Sequence, residues 1–294
     1  MCRWMAWHGQ PVLVDELLFK TQHGLVDQSL HSRMGAETTN GDGFGVGWYG
    51  TGDGPGIYRS VAPAWGDANL RHLAAHIESP LFMSHVRAAI GSPVQETNCH
   101  PFRHGDWLMV HNGLINDLHV LRRDLMLAVA PERFTDIQGT TDTEVLFHLA
   151  LTLGLEDDPL GALEQAIGFV EDTARNRGVV PGLQASIGVS DGERLWAVRY
   201  ASREEPRTLF VSADADSLRR LHPENPRLQR LRDGDRLVVS EPLADLPGAW
   251  HEIAPGSAVV VNPGGTLENR PFVPQGPARR GRKFPTSTDT TVTR

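Results

Sequence analysis

Hydrophobic residues recur with a helical period in the middle of the chain and in short runs beyond it. Apolar side chains three or four positions apart predict helices over residues 118–125, 145–153 and 160–175. Beyond Gly182 the pattern changes to short apolar runs bounded by turn signals. These runs predict strands over residues 184–189, 195–200, 209–212, 237–240 and 258–262.

The part of the chain before residue 118 is more mixed. Alternation and β-branched or aromatic residues predict strands over residues 4–7, 57–61, 81–89 and 107–111. Apolar spacing predicts short helices over residues 14–19 and 67–77, and Asp67 is the expected cap of the second. Residues 23–40 have no clear period and predict a long surface loop.

Four glycines alternate with bulkier residues between Gly41 and Gly47. The spacing is not that of a dinucleotide-binding fingerprint, and no Gly-Lys-Ser/Thr follows to close a phosphate loop. Glycine in a strand favours close approach by another backbone, so we expect a tightly packed strand here.

The order of strands, helices and strands predicts an α+β fold in which two antiparallel sheets carry helices on their outer faces. We expect residues 2–273 to form a single domain. Residues 274–294 carry basic side chains followed by Ser and Thr, a composition that predicts a disordered tail. Such a tail could contact an anionic surface, but a solvated tail is the favoured interpretation.

Composition narrows the class of protein. The 294 residues are 40% hydrophobic and 22% charged, which is ordinary for a globular chain. No apolar run approaches the ~18 residues that span a bilayer. The net charge of −8 argues against general nucleic-acid binding. Two cysteines do not make a disulfide framework. We therefore expect a cytoplasmic protein with no membrane or nucleic-acid partner.

The 13 histidines are scattered along the chain. His72 and His76 stand four apart on a predicted helix, a spacing that could hold a metal ion. No third ligand accompanies them, so two surface histidines are the favoured interpretation. We expect no metal or cofactor, and a metal hydrolase is the least favoured class.

The clearest candidate for a catalytic residue is Cys2. If the start methionine is removed, Cys2 carries a free α-amino group, which titrates near ~8 and can act as a base at neutral pH. A thiolate is a strong nucleophile, so one residue would hold a nucleophile and its base. Cys2 could also be a small apolar residue of the first strand, and the rest of the chain must decide.

Three further positions could complete a site for a glutamyl substrate. Asn112-Gly113, at the end of the predicted strand 107–111, could supply an amide and a backbone N–H to an oxyanion, or could simply form a turn. Arg87 offers a planar fork suited to a carboxylate. Asp142 could accept from an ammonium group, or could only cap the helix that follows.

Several short motifs, in the same order, resemble the class II glutamine amidotransferases, a group of N-terminal nucleophile hydrolases. The motifs are Met1-Cys2-Arg3, Ser84-His85-Val86-Arg87, Thr97-Asn98-Cys99-His100-Pro101-Phe102, His111-Asn112-Gly113 and Thr141-Asp142-Thr143-Glu144. The resemblance implies a four-layer α/β/β/α sandwich with two antiparallel sheets.

The resemblance also implies roles for individual residues. Cys2 would be the nucleophile, with its α-amino group carrying the proton. Asn112 and the Gly113 N–H would form the oxyanion hole. Arg87 would hold the substrate α-carboxylate and Asp142 its α-ammonium group. The reaction would release ammonia or another amine and leave a γ-glutamyl thioester for water to hydrolyse.

The chain departs from the large synthases of the family after Arg87. Ala88-Ala89-Ile90-Gly91 replaces their Trp-Ala-Thr-His, which resembles a short free-standing branch that includes the ergothioneine-pathway γ-glutamyl hydrolase. Glutamine is the expected substrate, with a separate synthase subunit as acceptor of the ammonia. A γ-glutamyl conjugate is the alternative substrate, and an inactive binding or regulatory module is a further alternative. Cys99 is expected to have a packing role.

Overall fold

Two antiparallel β-sheets stacked on each other form the centre of the protein. The computed structural model describes residues 2–35, 38–203 and 205–277. The strands, numbered in chain order, are β1 (Arg3–Leu13), β2 (Phe44–Trp48), β3 (Gly56–Ser60), β4 (Glu78–Val86), β5 (Phe102–His104), β6 (Trp107–Ile115), β7 (Leu183–Ser190), β8 (Leu195–Ala201), β9 (Phe210–Ser212), β10 (Arg236–Val239), β11 (Trp250–Glu252), β12 (Ser257–Val261) and β13 (Leu267–Pro271).

The sheets bring distant parts of the chain together. The first sheet has the order β11-β9-β10-β1-β4-β2-β3, and the second has the order β13-β12-β8-β7-β6-β5. The first strand, β1, lies inside its sheet, where Met5 is paired with Val239 on one side and with Ser84 on the other. The start of the chain is therefore held by β10 and by β4.

Helices cover the outer face of each sheet. They are α1 (Val14–Leu18), α2 (Leu25–Leu30), α3 (Ala68–Ala74), α4 (Leu118–Ala128), α5 (Pro131–Phe134), α6 (Asp142–Thr152), α7 (Pro159–Asn176) and α8 (Ala215–Leu221). Buried residues of α1, α2 and α3 pack on the first sheet, and those of α4, α6 and α7 pack on the second. The predicted α/β/β/α sandwich is confirmed. Among the described residues, no helix has the length and apolar character required to cross a bilayer.

The strand β1 shows how both faces of a sheet become buried. Trp4 and Ala6 belong to the apolar cluster between the two sheets. Met5 and Trp7 belong to the cluster beneath the helices of the first sheet. Because successive side chains of a strand point to opposite faces, a continuous apolar run is what a strand buried on both faces requires.

Two predictions are wrong in detail. The segment predicted as a loop over residues 23–40 contains α2, whose helical period is hidden because Gln28 and Ser29 are buried polar residues. The Gln28 side chain donates to the carbonyl oxygen of Glu241 at 3.1 Å. The strand predicted to end before Asn112-Gly113 continues to Ile115, because β6 pairs with β7 along this whole stretch.

Short elements at the edges are also absent from the sequence prediction, because few local residues define them. They are β5, β11, β13, α5 and α8. The described residues include 274–277 of the predicted tail, where the Gln275 N–H donates to the Glu164 carbonyl at 3.2 Å. The rest of the predicted tail, from residue 278 on, lies outside the described residues.

The glycine-rich strand β2 packs closely against another backbone, as its sequence predicts. A Cβ atom at Gly45 would overlap the carbonyl oxygen of His100. A Cβ atom at Gly47 would press on the Leu108 side chain of the second sheet. Position 45 requires glycine, because the atom that a Cβ would displace belongs to the main chain.

We expect Gly45→Ala to destabilise the protein by about 1–3 kcal/mol, the usual cost of forcing an extra group into a packed site. Urea denaturation measures the loss. Gly52→Ala is the matched control, because no heavy atom lies within 4 Å of the Cβ position there. Equal stability of the two variants would contradict the close approach.

Candidate active site

One cavity joins the five residues singled out in the sequence. Its lining includes Cys2, Arg87, Asn112, Gly113 and Asp142. Cys2 precedes β1, Arg87 follows β4, Asn112 and Gly113 lie within β6, and Asp142 begins α6. The site is therefore assembled from both sheets and from one helix end. Ile90, Ser92, His100, His111, Thr143 and Arg207 are further lining residues.

The Cys2 thiol is half-buried and faces the main chain that follows β4. Its Sγ donates to the Ala88 carbonyl oxygen at 3.5 Å. Burial raises the pKa of the Cys2 thiol, and the Arg87 charge opposes this rise only in part. The thiol is consequently protonated at neutral pH, and it requires a base before it can act as a nucleophile.

A buried ion pair holds the main chain of Cys2 in place. The Arg3 guanidinium donates through Nη1 to the Cys2 carbonyl oxygen at 2.9 Å. Its Nε donates to Oε2 of Glu241 at 3.1 Å, and both side chains are 2% exposed. Glu241 lies 238 positions away in the sequence. The segment that follows β10 thus positions the start of β1.

The Glu241 carboxylate accepts from several donors at once. His23 Nε2 lies 2.6 Å from Oε1. The backbone N–H of Arg33 donates to Oε1 at 2.9 Å, and that of Met34 donates to Oε2 at 3.1 Å. Burial alone would raise the pKa of Glu241, but these hydrogen bonds and the one from Arg3 outweigh it and hold the pKa below its usual value. The carboxylate therefore stays ionised.

Sequence reasoning missed the role of Glu241 because nothing near it in the chain marks it. Arg3 gave a weak signal, since it is a charged residue directly before the apolar run of residues 4–7. A charge buried at such a position needs a partner of opposite sign. The identity of that partner depends on the pairing of β1 with β10.

The two residues proposed for the oxyanion hole lie in the middle of a buried ladder. Asn112 is paired with Ser186 and Gly113 with Ala185 of β7. A Cβ atom at Gly113 would overlap the Gln184 carbonyl oxygen and Nε2 of His111. Any larger residue would therefore displace the β7 main chain at Gln184 and the His111 side chain of β6. This is a packing requirement, and the turn considered from the sequence is not formed.

His111 and Thr143 connect β6, the strand of the two proposed oxyanion-hole residues, to α6. Nε2 of His111 lies 3.1 Å from the Gln184 carbonyl oxygen, which can only accept, so this nitrogen carries the proton. Nδ1 then accepts from the Thr143 hydroxyl at 2.9 Å. Burial lowers the pKa of His111 although the Asp142 charge opposes the change. His111 is a neutral linker at neutral pH.

Two more buried histidines lie at the cavity, and one of them, His100, is a lining residue. The ring centroids of His85 and His100 are 4.1 Å apart, and the ring planes are tilted by 32°. Burial lowers the pKa of His85 to about 3 and that of His100 well below its usual value. Both are neutral at neutral pH, so no imidazolium from this pair lies beside the Cys2 thiol.

Hydrogen bonds to main-chain groups and to the Ser92 hydroxyl hold the two proposed substrate-binding residues. The Arg87 guanidinium donates to the Ser92 hydroxyl at 2.7 Å and to the Asp42 carbonyl at 3.2 Å. Asp142 Oδ2 accepts from the Ile115 N–H at 2.8 Å, and Oδ1 accepts from the Thr143 N–H at 2.8 Å. Each side chain is fixed in position by these bonds, and both reach the cavity.

Cys99 lies outside the cavity lining. It is fully buried, and its Sγ lies 3.4 Å from the Ser60 carbonyl oxygen. A Cβ atom at Gly43 would press on this sulfur. These contacts agree with the packing role expected from the sequence.

The chain is similar to known proteins in sequence and in structure. Residues 20–280 match the family described as glutamine amidotransferases class-II. The chain is 32% identical over 293 residues to the probable glutamine amidotransferase DUG3 of Saccharomyces cerevisiae, over 89% of this chain and 82% of the yeast protein. It is 31% identical over 258 residues to the gamma-glutamyl-hercynylcysteine sulfoxide hydrolase of Mycolicibacterium smegmatis, over 86% of this chain and 92% of that one.

A solved structure is also similar. The glutamine aminotransferase class-II domain protein from Silicibacter pomeroyi superposes with a TM-score of 0.68 and 34% identity, over 93% of this chain and 100% of that chain. The resemblance inferred from the motifs is thus confirmed at the level of family and fold.

The Glu241 ion pair can be tested by stability. We expect Glu241→Gln to destabilise the protein by about 3–5 kcal/mol, because it removes the negative charge from a buried ion pair. Since the pKa of Glu241 is lowered in the folded state, its contribution is complete above the ordinary glutamate pKa of about 4.3 and is lost as the pH falls through the lower folded value. Urea denaturation at several pH values measures both effects.

Asp245→Asn is the matched control. Asp245 pairs with the Arg33 side chain at 3.0 Å, but the two side chains are 49% and 78% exposed. Exposed pairs contribute little, so this variant should keep wild-type stability. An equal loss in both variants would show that Glu241 has no special role.

Proposed function

Since the chain belongs to the class II glutamine amidotransferase family, we propose that it cleaves the γ-amide of glutamine to glutamate and ammonia through Cys2. The observation that carries the proposal is the shared cavity. Cys2, Arg87, Asn112, Gly113 and Asp142 come from four separate parts of the fold and line the same space. The family match begins at residue 20, so the case for Cys2 rests on this placement.

Acylation requires removal of Met1, which exposes the α-amino group of Cys2. This amine takes the thiol proton, and Sγ forms a bond to the γ-carbonyl carbon of the substrate. The charge that develops on the carbonyl oxygen is stabilised by the Asn112 side-chain amide and the Gly113 N–H. When the C–N bond breaks, the leaving amine takes the proton from the α-ammonium group.

Deacylation uses the same groups in reverse. The α-amino group removes a proton from water as the water oxygen attacks the γ-glutamyl thioester. The C–S bond breaks, the sulfur regains its proton, and glutamate leaves. Through both steps, Arg87 pairs with the substrate α-carboxylate and Asp142 with its α-ammonium group.

A γ-glutamyl conjugate is the second candidate substrate, and the segment after β4 favours it. Ala88, Ala89 and Ile90 line the cavity, and Ile90 is 57% exposed at its edge. Small side chains next to the nucleophile leave space for a leaving group larger than ammonia, and Ile90 offers it an apolar contact. A hydrolase of this kind would need no partner, whereas a glutaminase would pass ammonia to a separate synthase subunit.

We treat residues 2–273 as one catalytic domain, because strands from both ends of the chain are neighbours in the same sheet. The proposed location is the cytoplasm. Both Cys2 and Cys99 are free thiols, which suits a reducing compartment.

The nucleophile is tested by activity and by mass. The mature protein should lack Met1 by intact-mass measurement and should release ammonia from glutamine, or glutamate from γ-glutamyl peptides, at rates that Cys2→Ala reduces to background. A glutamine-like electrophile should add once to the wild type and not to Cys2→Ala. Retention of Met1, or full turnover by Cys2→Ala, would refute the mechanism, and lack of labelling would favour an inactive module.

The ratio of kcat/KM for glutamine and for γ-glutamyl peptides decides between the two substrate classes. A higher value for the peptides would assign the chain to conjugate hydrolysis, with no synthase partner required.

Oxyanion and binding roles predict different kinetics. Asn112→Ala should lower kcat by about 10²–10³-fold with little change in KM, since the lost bond forms as charge develops. Asp142→Asn should instead raise KM about tenfold or more, since it removes a charged bond made to the bound substrate. Initial-rate kinetics on variants of unchanged Tm measures both. A rise in KM alone for Asn112→Ala would contradict the proposed oxyanion hole.

A further inference from the structure

A cluster of potential metal ligands lies outside the active-site cavity. His104 ends β5, Asp136 follows α5, and His148 lies within α6. One ligand atom from each residue lies within 4.8 Å of the other two. The positions 104, 136 and 148 have no ligand spacing in the sequence, so only the packing of these elements creates the cluster.

His148 is the most informative member of the cluster. The residue is 3% exposed, and its Nδ1 has no hydrogen-bond partner among the described residues. Buried polar atoms are normally paired, so an unpaired buried imidazole nitrogen beside two other potential ligands needs an explanation.

The other two ligands complete a recognisable donor set. His104 Nδ1 lies 3.4 Å from Oδ2 of Asp136. Asp136 is about half exposed, so its carboxylate can move to meet an ion. Two imidazoles and one carboxylate suit Zn²⁺ and related transition metals rather than Mg²⁺ or Ca²⁺, which prefer oxygen ligands throughout.

We propose that His104, Asp136 and His148 bind one divalent transition-metal ion of the Zn²⁺ class. Zinc holds nitrogen and oxygen ligands at about 2.0–2.2 Å, so the ion draws the three side chains together. It thereby links the β5 strand and the segment after α5 to α6. The site is structural in position and does not depend on the function proposed for Cys2.

Arg133 forms a hydrogen bond with one of the three proposed ligands. Its Nη1 donates to His104 Nε2 at 2.7 Å, and its Nη2 pairs with Glu156 at 2.7 Å. If His104 binds the ion through Nδ1, its proton moves to Nε2 and faces the guanidinium. Arg133 must then release His104 and keep only Glu156. The arginine and the ion are therefore competitors, with Asp136 and Glu156 as the nearby negative charges.

Because of this competition, removing a ligand should weaken metal binding, whereas removing Arg133 should strengthen it. The test uses full-length Cys2→Ala protein, which removes the active-site thiol as a rival ligand, stripped with a chelator and titrated with Co²⁺. One ion per chain should bind with the visible absorption of tetrahedral Co²⁺, and Zn²⁺ should displace it and raise the Tm. Asp136→Asn and His148→Ala should each weaken binding at least tenfold.

Arg133→Gln should tighten binding about tenfold, because it removes the competing charge and places an amide oxygen where Nε2–H can donate. The double variant His72→Ala/His76→Ala is the matched control, since these exposed histidines stand four apart on α3 or at its end. It should bind Co²⁺ as the parent does. Asp136→Asn changes a half-exposed residue and should fold normally, which keeps the test valid if His148→Ala does not fold.

Three results would overturn the proposal: a Co²⁺ spectrum that stays that of the hydrated ion, binding that survives Asp136→Asn unchanged, or binding lost in the His72/His76 variant. Weaker binding in Arg133→Gln would exclude the competition between Arg133 and the ion.

Discussion

The central constraint of this structure is that β1 is buried on both faces while the residue before it must face a cavity. Trp4 and Met5 pack into different apolar clusters, so the strand cannot shift without disturbing both. At its beginning, the apolar packing gives way to the buried pair of Arg3 and Glu241. A charge pair is costly to bury, but its directional hydrogen bonds fix the main chain at Cys2 in a way that apolar contacts cannot.

The electrostatics of the cavity follow from the same burial. Low polarity raises the pKa of the Cys2 thiol and lowers those of His85, His100 and His111. The buried histidines are thus neutral at neutral pH. Under the mechanism we propose, the base is the α-amino group of Cys2 itself, because each of these three histidines is a poor proton acceptor.

The helix α6 connects the cavity to the proposed metal site. Asp142 at its first turn lines the cavity, and His148 further along it belongs to the ligand cluster. The first turn is held by Glu144, whose carboxylate accepts from the Gln138 and Gly139 N–H groups at 2.9 and 2.7 Å. An ion bound at His148 would tether the same helix at a second point. The helix α6 would then carry both the metal site and Asp142 of the proposed substrate site.

The sequence by itself determined the family, the two-sheet architecture and five of the residues that line the cavity. These could be predicted because they lie in short motifs whose residues are neighbours in the chain, and because strand and helix periods are local. The helix α2 was missed because buried polar residues conceal its period. The full length of β6 was missed because its end is set by pairing with β7.

Only the tertiary structure decided which distant residues meet. Glu241 reaches Arg3 through the pairing of β10 with β1, and His104, Asp136 and His148 meet through the packing of α6 beside β5. The local sequence does not identify the partners in either contact, because the residues that meet are far apart in the chain. Sequence pattern reports which face of an element is apolar, whereas register and packing decide which polar groups lie within bonding distance.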